Sequence, residues 1–151
     1  PEILLKTIRE LFPDAVLFSH SGALIESLLI LNKNQKIRKR FFVNARNSFL
    51  DIVILDGRKL LYFNTFGYRS NEDFISFVIF VLEQLQINPE EIELILSGTI
   101  EKNSKLFDTI YKYIRDVNFQ MKADTFNYSY LFNDIKSYDY INLLNFELCE
   151  L

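Results

Sequence analysis

The spacing of apolar residues at the start of the chain predicts a helix. Residues 2–12 place apolar side chains three and four positions apart, and Pro13 ends the pattern because the residue before a proline avoids helical geometry. The apolar members are Ile3, Leu4, Ile8, Leu11 and Phe12. The continuous apolar run AVLFS, residues 15–19, is typical of a short buried strand.

A second helical pattern and a polar stretch follow. Residues 20–31, HSGALIESLLIL, predict a helix that a serine at its start caps. Residues 32–40, NKNQKIRKR, are polar and basic and predict a connector. We therefore expect residues 1–31 to be the helix–strand–helix tail of a preceding subdomain, and residues 41–151 to form the main domain with an aromatic C-terminal tail.

Near residue 40 the pattern changes to that of β-strands. Three runs are rich in β-branched and aromatic residues: RFFVNAR (40–46), FLDIVIL (49–55) and KLLYFNTF (59–66). Asn47-Ser48 separates the first two runs, and Asp56-Gly57 supplies the two-residue, positive-φ turn that hairpins prefer between the others. Both faces of the middle run are apolar, so the predicted sheet needs layers on both faces.

The remaining elements predict two crossover units. A helix begins near Ser70 or Asn71 and ends near Leu85, and Ser104 caps a second helix. Short strands follow these helices, at IELILS (92–97) and VNFQM (117–121). The order β-β-β-α-β-α-β makes the later strands parallel to the first. It predicts an α/β, ribonuclease H-like domain with a five-stranded mixed sheet and flanking helices, the order found in actin-like ATPase halves.

Apolar positions inside these elements predict the core. The expected core residues are Val53, Leu55, Leu61, Phe63, Phe77, Phe80, Val81, Leu94, Leu96 and Ile110. Seven aromatic residues lie in residues 126–146, and this segment has few basic residues. We expect it to pack over the sheet or against a missing half rather than to stack nucleic-acid bases.

The run from Asn64 to Phe119 and the closing FELCEL, residues 146–151, resemble an uncharacterised bacterial family of unknown function. The run reads NTFGYRSNEDFISFVIFVLEQLQINPEEIELILSGTIEKNSKLFDTIYKYIRDVNF. Members of that family look like degenerate actin-like ATPases with ribonuclease H-like halves, distantly similar to pilus-assembly and secretion proteins. They are longer, with a further half on the N-terminal side. The resemblance implies a fold and no established activity.

Composition excludes several classes of protein. The 151 residues are long enough for one domain with a sizeable core, and 49% of them are hydrophobic. A net charge of −3 argues against nucleic acid or an anionic membrane as the main partner. No apolar run reaches the roughly 18 residues of a membrane span. The single cysteine, Cys149, suits a reducing cytoplasm. Because the chain begins with Pro1, we interpret it as a trimmed or processed piece of a longer protein.

The strands lack the carboxylates of a nuclease. Ribonuclease H-type cleavage needs several acids that hold two metal ions, the first of them in the middle of the first strand. That strand reads FFVNAR and has no acid, and Ser97-Gly98 stands at the end of the fourth strand, where another acid is expected. Asp51 on the second strand we interpret as exposed at an edge or hydrogen-bonded locally. We expect no catalytic residue and no metal site.

Nucleotide binding has only weak candidate residues. Actin-like ATPases hold phosphates in a glycine-containing turn between the first two strands, and the turn ARNSF has no glycine. Its Arg46, Asn47 and Ser48 could contact an anion. LSGT (96–99), with Ser97 and Gly98, resembles the turn that contacts adenosine in that superfamily. These five residues are the only candidates for cofactor binding, and we expect no bound cofactor.

Two other polar features are interpreted as structural. His20 is the only histidine and forms no catalytic triad with its neighbouring serines, so we expect it to pack at a subdomain junction. The stretch KNQKIRKR (33–40) carries five positive charges without an acid. It could bind phosphate or an acidic partner, but a solvated connector is the more common role of such a run.

These observations favour a non-catalytic binding or scaffold module of the bacterial cytoplasm, with an actin-like, ribonuclease H-like fold and no enzymatic activity. Its expected partner is another protein or the missing N-terminal half. The alternative is a nucleotide-dependent switch that binds ATP together with that half.

Overall fold

Strands and helices alternate along the part of the chain that the structure describes, which is residues 2–33, 39–121, 127–130, 135–146 and 149 of a computed structural model. The strands are β1 (Lys39–Ala45), β2 (Phe49–Asp56), β3 (Lys59–Gly67), β4 (Glu93–Gly98) and β5 (Asp116–Phe119). The helices are α1 (Glu2–Leu11), α2 (His20–Leu31), α3 (Asn71–Gln84), α4 (Lys105–Tyr113), a 3-10 helix (Ser137–Tyr140) and α5 (Ile141–Leu144).

The strands form one mixed sheet in the order β3-β2-β1-β4-β5. β1 runs antiparallel to β2, and β2 runs antiparallel to β3. β4 lies parallel to β1 on its other side, and β5 lies parallel to β4. The predicted α/β, ribonuclease H-like order and its five-stranded mixed sheet are confirmed.

Hydrogen bonds and strand register define the turns of the two hairpins, β1–β2 and β2–β3. In the β1–β2 turn the N–H of Arg46 donates to the carbonyl oxygen of Phe49 at 2.8 Å. In the second hairpin Asp56 pairs with Lys59, so the two-residue turn is 57–58 rather than the predicted Asp56-Gly57. Gly57 has a φ of 58°, and glycine adopts this left-handed geometry without a steric penalty.

The sheet is covered on both faces, as its apolar strands require. Alternate side chains of a strand point to opposite faces. Phe41, Val43, Leu50 and Ile52 therefore lie in the larger core cluster, which α3 and α4 complete. The intervening side chains face α2, whose buried leucines pack with apolar residues of the first, second and fourth strands. The residues of this smaller cluster are Leu24, Leu28, Phe42, Val53, Leu55 and Ile95.

The predicted core is confirmed in part. Its buried members are Val53, Leu55, Val81, Leu94, Leu96 and Ile110. Phe63 and Phe77 are partly buried beside the two clusters. The prediction is wrong for Phe80, which is 49% exposed on the outer side of α3, and for Leu61, which is exposed on the edge strand β3.

Residues 2–19 lie outside this layered core. None of the residues of α1 is buried. The strand predicted at residues 15–19 is wrong for this chain, because the segment pairs with no strand among the described residues. A strand needs a neighbouring strand for its backbone hydrogen bonds, and none of the five offers one here.

The connector and the C-terminal tail are described only in part. Residues 34–38 of the predicted connector, and Phe126 and Phe132 of the tail, lie outside the described residues. The ring of Tyr138 packs on that of Phe119 in β5, with 4.6 Å between centroids. Among the described residues, no helix has both the length and the apolar character that crossing a membrane requires.

Candidate functional site

A row of polar residues crosses the face of the sheet that α2 covers. Thr65, Asp51, Asn44 and Ser97 are register partners on β3, β2, β1 and β4. Thr65 Oγ1 donates to Asp51 Oδ1 at 2.7 Å, and Asn44 Nδ2 donates to Asp51 Oδ2 at 3.1 Å. Ser97 Oγ donates to Asn44 Oδ1 at 3.2 Å. We call these four residues the polar row.

Asp51 is the charged centre of the polar row and is only 1% exposed. Arg46 donates hydrogen bonds to both carboxylate oxygens of Asp51, from Nη2 to Oδ1 at 2.9 Å and from Nε to Oδ2 at 3.1 Å. Burial by itself raises the pKa of Asp51, but hydrogen bonds from Thr65, Arg46 and Asn44 and the charge of Arg46 outweigh it and hold the pKa below its ordinary value. The interpretation of Asp51 as exposed at an edge is therefore wrong, whereas the expected local hydrogen bonding is confirmed.

His20 joins the same carboxylate from the first turn of α2. Its Nε2 lies 3.2 Å from Asp51 Oδ2, which is hydrogen-bond distance when Nε2 carries the proton. Asp51 thus receives donors from β1, the β1–β2 turn and β3, and from α2 when His20 Nε2 carries the proton. The lone pairs of this carboxylate are used for hydrogen bonds inside the domain.

The β1–β2 turn is held from two further sides. The hydroxyl of Tyr68 donates to the carbonyl oxygen of Arg46 at 2.7 Å, and burial raises the pKa of that hydroxyl. The N–H of Tyr68 donates to the carbonyl oxygen of Ser48 at 3.0 Å. The guanidinium of Arg46 also lies over the ring of Phe49, 5.5 Å from its centroid. The turn is consequently a fixed element of the sheet.

Gly98 ends β4 directly beside β1. The N–H of Thr99 donates to the carbonyl oxygen of Ala45 at 2.9 Å. A β-carbon at Gly98 would overlap that oxygen and come within 2.8 Å of the carbonyl carbon of Ala45. The φ of Gly98 is 83°, which L side chains rarely adopt. Close packing of two strands therefore accounts for this glycine.

An open cavity of about 500 Å³ lies between the β1–β2 turn, the end of β4 and the C-terminal helices. Its lining consists of Asn44, Ala45, Arg46, Asn47, Ser48, Phe49, Gly98, Thr99, Asp139, Tyr140, Asn142 and Leu143. Four of the five candidate cofactor-binding residues, Arg46, Asn47, Ser48 and Gly98, meet here. Ser97 lies behind them, bonded to Asn44. Oδ1 of Asn142 is buried and accepts no hydrogen bond from the described residues.

The charges of this cavity do not resemble those of a phosphate site. Among the described residues that line the cavity, Arg46 is the only cation, and its charge is already neutralised by Asp51 at 2.9 Å. The carboxylate of Asp139 lines the same cavity and would repel an anion. Within the described residues, no group of three histidine, cysteine or acidic side chains could hold a metal ion. The arrangement holds the hairpin in place beside an open cavity with a mainly apolar lining.

The sequence pointed to the β1–β2 turn and Gly98, but not to the polar row or to the C-terminal helices that line the cavity. Thr65 and Asn44 carried no signal as single residues, because only the strand register brings them to Asp51. The interpretation of His20 as packed at a junction gave no indication of its bond to Asp51. The one available signal was Asp51, a single charged residue among the apolar residues of FLDIVIL.

Two solved structures of other proteins share this fold. A protein from Bacteroides thetaiotaomicron with an actin-like ATPase fold and unknown function matches 97% of this chain and 51% of its own, with 25% identity and a TM-score of 0.79. A PilM–PilN type IV pilus biogenesis complex matches 89% of this chain and 52% of the other, with 14% identity and a TM-score of 0.60. The chain thus spans about half the length of each.

No curated protein matches the sequence. The family described as "Protein of unknown function (DUF3822)" matches residues 1–117, which is most of the chain. The chain belongs to this DUF3822 family, and its fold is one ribonuclease H-like half of an actin-like ATPase fold.

Proposed function

We propose that this chain is a non-catalytic binding module that joins the other half of an actin-like molecule through its first residues. Residues 2–18, which we call the docking segment, carry this proposal. Their apolar side chains are exposed in the described structure, whereas the side chains of the polar row are hydrogen-bonded to one another inside the domain. The module would act in a bacterial cytoplasm.

The docking segment exposes an unusual amount of apolar surface. Leu4 is 65% exposed, Leu11 67% and Val16 72%. Five further large apolar side chains of the segment are also exposed: Ile3, Leu5, Phe12, Leu17 and Phe18. Burying apolar surface contributes roughly 25 cal/mol per Å², so covering this segment would stabilise an assembly strongly. Contiguous exposed apolar surface of this kind marks an interaction site.

The charge of the docking segment favours a protein partner. It contains three acids and two bases: Glu2, Glu10, Asp14, Lys6 and Arg9. A slightly acidic surface would be repelled by an anionic membrane or by nucleic acid. The apolar face of α1 instead resembles the face that a helix buries against a sheet.

The lengths of the solved relatives favour another half-domain as that partner. Each relative is about twice as long as the part that matches this chain. One of them belongs to a pilus biogenesis complex of two proteins, so an actin-like fold can serve in protein assembly. The partner of the docking segment would be the half that lies outside the match.

Two serine substitutions in α1 test this proposal. Leu4→Ser should lower the free energy of unfolding of the natural gene product by about 2–4 kcal/mol, because a buried leucine would be lost. In the 151-residue chain alone the same change should cost less than about 0.5 kcal/mol, because Leu4 is exposed there. Urea denaturation of both proteins measures the difference.

Lys6→Ser is the matched control for this test. It exchanges an equally good helix former for serine, so the intrinsic cost to α1 is the same. Lys6 lies on the polar face of α1, and its contact with Glu10 at 3.9 Å is exposed. Its effect should be small in both proteins. Equal effects of Leu4→Ser in the two proteins would contradict the proposal.

An ATP-dependent switch is the alternative function to test. Four of the five candidate cofactor-binding residues line the cavity, where a nucleotide would have to bind. Since Arg46 is neutralised and Asp139 is acidic, we expect Mg²⁺-ATP at 100 µM to leave the melting temperature of the gene product unchanged. A ligand with a Kd of about 1 µM would stabilise it by about 2.7 kcal/mol, which thermal denaturation readily detects. A clear shift that Ser48→Asp abolishes would favour the switch.

A further inference from the structure

We propose that the open cavity beside the β1–β2 turn binds a guanidinium group, carried either by a small molecule or by an arginine side chain of a protein. The site goes beyond the proposed function, because none of the described residues that line the cavity belongs to the docking segment.

The carboxylate of Asp139 gives this cavity a negative charge that has no partner in the described part of the chain. Asp139 lies on the 3-10 helix, is half-buried and lines the cavity. Its carboxylate forms no ion pair and no hydrogen bond with any described residue, and Lys136 bonds instead to Glu101 at 3.3 Å. A carboxylate that is partly removed from water is stabilised by a positive group beside it.

The other charges around the cavity leave a cation as the group that fits. Arg46 is paired with the buried Asp51 at 2.9 Å, so Asp139 makes the net charge of the site negative. An anion would be repelled there. Among the described residues, no group of three histidine, cysteine or acidic side chains could hold a metal ion. The cavity therefore fits an organic cation.

The walls around Asp139 match the apolar part of such a cation. Phe49 is 50% exposed, Tyr140 56% and Leu143 75%, and all three line the cavity. A guanidinium is planar and weakly hydrated and stacks on aromatic rings, and in arginine it ends an apolar stem. The domain already shows this contact, because the guanidinium of Arg46 lies over the ring of Phe49, 5.5 Å from its centroid.

The polar groups of the lining favour a guanidinium over an ammonium. A guanidinium donates several N–H groups in one plane, and a carboxylate accepts two of them side by side. The side chains of Asn47 and Ser48 line the same cavity, are exposed, and bond to no described residue, so their oxygens can accept further N–H groups. The volume of about 500 Å³ lies in the range of small-molecule sites, roughly 300–1,000 Å³.

Titration of the 151-residue chain with N-acetylargininamide, followed by NMR, tests the proposal. The guanidinium is the only charged group of this probe. We expect saturable shifts of the backbone amides at 46–49 and 139–143. N-acetylcitrullinamide, which has the same shape but a neutral urea group, should bind at least about 10-fold more weakly, because it loses the charge-assisted hydrogen bonds.

Two variants change the charge of the cavity in opposite directions. Asp139→Asn should weaken binding of N-acetylargininamide at least about 10-fold. Ser48→Asp adds a second carboxylate to the lining and should tighten it about 3-fold or more. Asp108→Asn removes the same charge from the exposed face of α4, outside the cavity, and should leave the affinity within about 2-fold.

The same titration of the natural gene product identifies the source of the guanidinium. If a free small molecule is the ligand, the gene product binds the probe as the 151-residue chain does. If an arginine of the gene product occupies the cavity, the probe binds only the 151-residue chain, and Asp139→Asn lowers the melting temperature of the gene product but not of that chain.

Three results would overturn the proposal. The first is the absence of saturable shifts at the cavity in the 151-residue chain. The second is equal binding of N-acetylargininamide and N-acetylcitrullinamide to the wild-type chain, a comparison that needs no substitution. The third is an affinity that neither Asp139→Asn nor Ser48→Asp changes. None of these results bears on the docking segment, which the Leu4→Ser measurement tests separately.

Discussion

Replacing Gly98 with alanine is expected to lower the free energy of unfolding by about 2–5 kcal/mol. The left-handed geometry at φ 83° costs an L-residue roughly 1–2 kcal/mol. Overlap of the new β-carbon with the carbonyl of Ala45 adds about 1–3 kcal/mol, because that carbonyl belongs to a buried central strand and has little room to move. Urea denaturation of the 151-residue chain measures the loss.

Gly57→Ala is the matched control for Gly98→Ala. Gly57 also has a positive φ, 58°, but a β-carbon there would meet no atom within 4 Å. Its substitution should therefore cost only the conformational part, about 1–2 kcal/mol. If the two glycine variants lost equal stability, close packing of β4 against β1 would not be the reason for Gly98.

This expectation changes how ligand binding can be tested at the cavity. A bulky substitution at Gly98 would damage the sheet and abolish any ligand effect for that reason alone. Ser48→Asp is the better variant, because Ser48 is exposed and its side chain is not used inside the domain. The one glycine that resembled an adenosine-binding turn thus has a structural explanation that involves no ligand.

The fold could be predicted because its strands carry local information. The runs around Val43 and Val53 alternate or continue their apolar residues over lengths that only strands have, and Gly57 marks the turn between β2 and β3. The order of strands and helices then restricts the topology to few arrangements. None of this required contacts between residues distant in sequence.

The polar row could not be predicted, because it depends on contacts between residues that are distant in sequence. Its hydrogen bonds join residues separated by 14, 7 and 53 positions: Asp51 with Thr65, Asn44 with Asp51, and Asn44 with Ser97. A shift of one residue in the strand register would turn every one of these side chains to the other face. Sequence alone shows that Asp51 sits among apolar residues, but not which donors satisfy it.

Two of the wrong structural predictions have clear physical causes. Phe80 lies in the central run of α3, residues 77–82, which is continuously apolar, so periodicity does not tell which side faces the sheet. Val78 and Val81 occupy the buried positions instead. The strand at residues 15–19 was predicted from its composition, and composition does not supply a neighbouring strand.

Asp51→Asn is expected to lower the free energy of unfolding by about 2–4 kcal/mol at pH 7. The asparagine amide accepts through one oxygen only, and its NH₂ group faces groups that are themselves donors. Arg46 also loses the carboxylate that neutralises it. Breaking a buried pair costs about 3–5 kcal/mol, and the half-exposed guanidinium of Arg46 recovers part of this from water. Asp56→Asn, at the end of the same strand and outside the polar row, should cost less than about 0.5 kcal/mol.

The pH dependence of this loss tests its electrostatic origin. Because the pKa of Asp51 is lower in the folded chain than the ordinary value of 3.8, the unfolded state binds a proton first as the pH falls. The contribution of Asp51 is therefore complete above pH 3.8 and disappears as the pH falls through the lower folded-state pKa. The difference in stability between the wild type and Asp51→Asn should stay constant from pH 7 to about pH 5 and shrink below pH 3.8. If the stability difference between the wild type and Asp51→Asn were unchanged at pH 2, the negative charge of Asp51 would not be its cause. The shape of the side chain, and not its charge, would then explain the stabilising effect of Asp51.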